Sequence, residues 1–142
     1  MAIVNLEPLC ARYGMAIIDG GGNIKDKENT ITKALGVLVE NGLYAMALFL
    51  VTCKEKEFGR KVLTERLRSL WQEEGVNIIK KEVKANQDAM LKAIQSITED
   101  LHKLILAKNI TEQTLTFARY HAKAKSKEEK KAGGGKGGEA RE

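Results

Sequence analysis

The sequence has one proline, three phenylalanines and three tyrosines in 142 residues. A many-stranded β fold needs frequent turns and aromatic-rich strands between them, so this scarcity argues against one. There are two cysteines, Cys10 and Cys53, each set among apolar residues. They read as buried, reduced thiols rather than as a disulfide. Together with the two histidines, His102 and His121, they show no zinc-ligand spacing. The apolar run Leu43–Val51 holds nine residues, against about 18 needed to cross a bilayer. No charged, apolar and small-residue series marks a signal peptide at the N-terminus. These absences predict a cytoplasmic protein without a membrane partner.

Alanine, leucine, lysine and glutamate, all strong helix formers, are plentiful. In 5–19, Leu6, Leu9, Cys10, Tyr13 and Ile17 recur at helical spacing, with Asn5 as cap and Pro8 in the first turn. DGGGN at 19–23 breaks that helix. No strand precedes it and no Lys-Ser/Thr follows, so GGGNIK reads as a connector rather than a phosphate loop. Ile31, Ala34, Leu35, Leu38 and Val39 share one face of 26–41, whereas 43–53 is apolar almost all round and belongs inside a bundle. Between them Asn41-Gly42 predicts a helix–helix corner, with Gly42 in the left-handed region.

A third pattern, Phe58, Val62, Leu63, Leu67, Leu70 and Trp71, fills 57–74 and stops at Gly75. Residues 75–85 read as loop or short helix. Met90, Ile94, Ile97, Leu101 and Leu104 form a heptad-like seam that predicts one helix over 87–107. Asn109 should end it. Thr111 should cap the next helix, with Ile110 and Leu115 as a hydrophobic staple. The expectation is an all-α fold, a single compact bundle of five or six helices over 1–127, followed by a flexible Lys/Glu/Gly-rich tail over 128–142.

The formal charge is +5, and most of the excess falls in 108–142, which holds nine Lys/Arg against five Asp/Glu. A basic end suggests an acidic partner, nucleic acid being the usual one. Arg119, Lys123, Lys127 and Lys130 recur at intervals of four, four and three, on one face of the last helix. Lys54, Lys61 and Arg68 recur every seven residues, a second stripe partly neutralised by Glu57 and Glu65. Basic side chains at such intervals track phosphates, and with few exposed aromatics the contact should be to an RNA backbone rather than to stacked bases. Arg66 projects beside the apolar face of its helix, where it either pairs with a carboxylate or meets another subunit or RNA.

Catalytic chemistry has little to stand on. Glu73-Glu74 and Glu99-Asp100 are adjacent pairs whose side chains diverge on a helix, and no serine, cysteine or carboxylate motif surrounds either histidine. The sequence predicts no enzyme, no cofactor and no metal.

Two stretches resemble a known family. VLVENGLYAMALFL resembles the helix–Asn-Gly-Leu–helix signature of the small subunit of type III-B CRISPR (Cmr) effector complexes, and FARYHAKA at 117–124 resembles that family's C-terminal helix. The resemblance implies a non-catalytic helical subunit in a cytoplasmic antiviral ribonucleoprotein. Such a subunit stacks in two or more copies along the backbone subunits and lines the path of target RNA paired to guide RNA. Carried over, it puts Arg119 and Lys123 against RNA or a neighbouring subunit. Tyr120 stands where the family pattern has another basic residue. The alternative is a helical protein–protein adaptor without direct RNA contact.

Overall fold

The computed structural model describes residues 5–134, with side chains as far as Glu128. Its regular structure is entirely helical among the described residues, as an all-α bundle. The first helix, α1 (Glu7–Ile18), starts where the Asn5 side chain accepts the Glu7 N–H at 3.1 Å. It stops at Asp19, ahead of three successive glycines with positive φ. The Asn23 side chain then accepts the Asp26 N–H at 2.9 Å and opens α2 (Ile24–Asn41).

The corner into α3 (Leu43–Thr52) is a single residue. Gly42 donates its N–H to the Leu38 carbonyl at 3.0 Å and accepts the Met46 N–H at 3.1 Å, so it ends one helix and begins the next. Its φ of 99° and ψ of −179° lie in a region that essentially only glycine occupies, at a cost of about 1–3 kcal/mol for other residues. A Cβ at this position would touch nothing, so the backbone alone enforces the choice. Gly42→Val is expected to lower stability by about 1–3 kcal/mol. A melting curve matching the parent's would sink this account of the corner.

Next, Lys56–Lys61, a π-helical turn Val62–Leu67 and Arg68–Gln72 run on as one helix, α4. The π turn carries the Arg68 N–H back to the Leu63 carbonyl, five residues earlier. That releases the Thr64 carbonyl, which accepts instead from the Arg68 Nε at 2.8 Å. The expected loop at 75–85 is irregular. It is drawn inward by Val76, Ile78 and Ile79, all buried, and the Ile78 and Ile79 N–H groups both donate to the Trp71 carbonyl.

Asn86 caps α5 (Gln87–Thr98), accepting the Ala89 N–H at 2.8 Å. The chain then turns at Glu99–Asp100 and continues as one long helix, α6 (Leu101–Gly134). Here the structure departs from the sequence reading. The seam predicted over 87–107 breaks because Asp100 caps a new helix, its side chain accepting the Lys103 N–H at 3.2 Å. Leu101, counted into that seam, is 66% exposed. Asn109 ends nothing. Thr111 lies buried inside α6, where its hydroxyl accepts from the Trp71 Nε1 at 3.0 Å rather than capping a helix. The tail boundary expected at 128 falls within α6, and residues 135–142 lie outside the described residues.

The core lies where α3 and the apolar face of α4 meet α1, α2, α5 and the middle of α6, with Met46, Leu50, Leu63, Leu67 and Trp71 fully enclosed. The long helix α6 packs chiefly on α1 and α2. Cys10 on α1 points its thiol at the Ile110 carbonyl of α6, 3.6 Å away, and burial pushes that thiol's pKa up. Both cysteines are free.

Candidate functional site

The C-terminal basic face lies on one continuous helix, but its members do different things. Arg119 is half-buried, its guanidinium 5.9 Å from the ring centre of Tyr120. Lys123 reaches across to α2, its Nζ 3.4 Å from the Glu28 carboxylate, which also has Lys25 at 3.6 Å. Lys127 is exposed, and Lys130 is placed by its backbone alone. Lys125, on the neighbouring face and outside the stripe, pairs with Asp19 at 2.8 Å. That hydrogen bond holds the Asp19 carboxyl below its ordinary pKa and ties α6 to the glycine loop after α1.

The second stripe does not exist as a line of charge. Lys54 lies exposed in the bend between α3 and α4. The π turn then separates Lys61 from Arg68, and a wider turn no longer returns a seven-residue interval to one face. Arg68 is folded onto its own helix and the following loop, donating to the Thr64 carbonyl, to Gln72 Oε1 at 3.2 Å and to the Val83 carbonyl at 3.5 Å. It serves as a clasp for that loop, with Gln72 reaching the Lys80 carbonyl at 2.8 Å.

Lys61 and Arg66 come together instead, in a cleft of about 410 Å³ between the glycine loop and α4. The same cleft contains Lys27, which no sequence pattern singled out. Lys27 is only 8% exposed. Its Nζ donates to the Ile18 carbonyl at 2.8 Å and lies 5.6 Å from the Phe58 ring centre. Burial lowers its pKa, and repulsion from Lys61, Lys125 and Arg66 lowers it further against the pull of Asp19. Asp19 also lines the cleft, and Asp26, Glu55 and Glu57 are its other carboxylates.

Comparison with protein-family models, curated proteins and solved structures finds no match for the chain. Among the described residues, no group of three or more His, Cys, Asp or Glu side chains is placed to hold a metal ion. No described helix is long and apolar enough to cross a membrane.

Among the described residues, two surfaces stand out as open to partners. One is the exposed end of the basic face at Lys127. The other is apolar: Leu101 and Ile105, one turn apart at the start of α6, are 66% and 50% exposed. The sequence hid the second because Leu101 fits the heptad seam so well.

Proposed function

We propose that the protein is a non-catalytic small subunit of an RNA-guided antiviral effector complex of the type III-B CRISPR class. It works in the cytoplasm, in contact with backbone subunits, further copies of itself and the guide–target RNA. The observation that carries this reading is the Asn41-Gly42-Leu43 corner, the most specific part of the family resemblance. In the fold it is a glycine-only hinge between an amphipathic helix and a central apolar one. The helical bundle and the exposed Leu101–Ile105 face suit a stacked subunit. In this reading RNA meets Arg119, Lys123 and Lys127 through phosphates, so binding is weak for the isolated chain, falls with salt, and tightens in the assembled complex.

One observation favours the adaptor reading instead. Lys123 and Lys125 already have carboxylate partners within the fold, which leaves less free charge for RNA. Target capture by the reconstituted complex separates the two. Lys127→Glu, at an exposed position, and the double variant Arg119→Glu/Lys123→Glu are both expected to weaken capture and flatten its salt dependence. Lys127→Glu should do so with melting unchanged. Unchanged capture in both variants removes the RNA-facing assignment. Purification of the native complex without guide RNA removes the effector reading altogether.

A further inference from the structure

The cleft between the glycine loop and α4 is not explained by the reading above, and it has the makings of a small-ligand site. Its floor is cationic. Lys27 is more than nine-tenths buried, yet it forms no ion pair among the described residues, and only one of its ammonium protons has an acceptor, the Ile18 carbonyl. Lys61 and Arg66 line the same cavity and likewise form no ion pair among the described residues. Lys27 is buried and repelled by Lys61, Lys125 and Arg66, with Asp19 as the opposing charge, and a further anion would offset that cost.

The loop above supplies more donors. The backbone N–H groups of residues 20–23 make no hydrogen bond among the described residues, and Asn23 caps only the Asp26 N–H. Gly22 packs directly on the Lys27 stem: a Cβ there would lie 3.4 Å from the Lys27 Cε. Free backbone donors beside a cation are the usual cradle of a phosphate. The absence of a preceding strand distinguishes this loop from a nucleotide-triphosphate loop. It does not remove its donors.

The rim is different in sign. Asp26 and Glu57 are exposed and Glu55 half-exposed in the lining, and the exposed Asp19 there is paired with Lys125. They repel a polyanion laid across the opening, but they can accept hydrogen bonds from hydroxyl or amino groups of a compact ligand. Phe58 and Val62 add an apolar wall. About 410 Å³ is within the usual size range of small-molecule pockets.

We propose that this cleft binds a small phosphomonoester carrying hydroxyl or amino donors, with its phosphate on Lys27, Lys61, Arg66 and the 20–23 backbone. The proposal is independent of the effector-complex reading. Calorimetric titration of the full chain tests it, with adenosine 5′-monophosphate, adenosine, inorganic phosphate and a single-stranded RNA oligomer lacking terminal phosphate as probes. The monophosphate should bind, inorganic phosphate should compete with it, and adenosine should bind at least about tenfold more weakly, as expected for loss of a charge-assisted contact. Lys27→Met and Arg66→Gln should each weaken the monophosphate by about tenfold or more, while Lys92→Gln, outside the cleft, should not. Arg66 is partly exposed, so Arg66→Gln carries the test if Lys27→Met fails to fold. Equal binding of monophosphate and adenosine, no binding of either phosphate probe, or parental affinity in Arg66→Gln overturns the proposal. So does displacement of the monophosphate by the RNA oligomer at lower concentration, which would make a polyanion the occupant.

Discussion

Replacing Trp71 with alanine is expected to destabilise the fold by about 3–5 kcal/mol, the usual range for emptying a buried indole site. The ring is fully enclosed and lies between the end of α4 and the middle of α6. Domains of this kind have about 5–15 kcal/mol in total, so a large share of the margin rests on one side chain. The expected readout is a lower urea midpoint with an unchanged slope. Thr111→Val separates the two parts of the effect. It keeps the ring and strands its N–H without an acceptor, which should cost about 1–3 kcal/mol. A loss below about 1 kcal/mol for Trp71→Ala would mean that the indole is not packed where it stands, because surface substitutions fall in that range.

The second large effect depends on a contrast of sign. Glycine inside a helix normally costs about 0.5–1 kcal/mol relative to alanine. Gly36, within α2, has open space where a Cβ would go, so Gly36→Ala should raise stability by about that amount. Gly59, within α4, is buried, and a Cβ there would run into the Leu50 carbonyl of α3 and come 2.9 Å from the Cys53 sulfur. The carbonyl is backbone and cannot swing aside. Gly59→Ala should therefore lower stability by about 1–3 kcal/mol or more despite its better helix propensity. Chemical denaturation of both variants in parallel decides the point. If both are stabilised, the close approach of α3 and α4 is wrong.

These two residues show how far the sequence could be read. Trp71 sat in a clear apolar pattern, and its burial followed from spacing alone. Its partner did not. Thr111 next to Asn109 has all the local chemistry of a helix start, yet it became a mid-helix acceptor because the long packing surface of α6 against α1 and α2 outweighs a local capping preference. The Asn41-Gly42 corner was legible because glycine at a helix end answers a purely local need. The π turn was not, because Phe58, Val62, Leu63, Leu67, Leu70 and Trp71 fit an ordinary helix almost as well. That one distortion dissolved the expected stripe of Lys54, Lys61 and Arg68. Lys27 was missed for a related reason: a lysine beside Asp26 and Glu28 reads as solvated surface. Only the folded glycine loop shows its stem covered. The connector DGGGN just before it was the available signal.

The pairing of α1 with α6 has a consequence for how the chain is made. Cys10 meets the Ile110 carbonyl across 100 residues of sequence. Translation at about 5–20 residues per second separates the emergence of those partners by roughly 5–20 s. Throughout that interval α1 lacks its main mate and has only α4 to pack on, and the greasy segment Leu43–Val51 waits beside it with its cage incomplete. The nascent chain thus cannot lock from its N-terminal end forward. It closes once α6 has left the ribosome, and the seconds before that are when a chaperone would find it open.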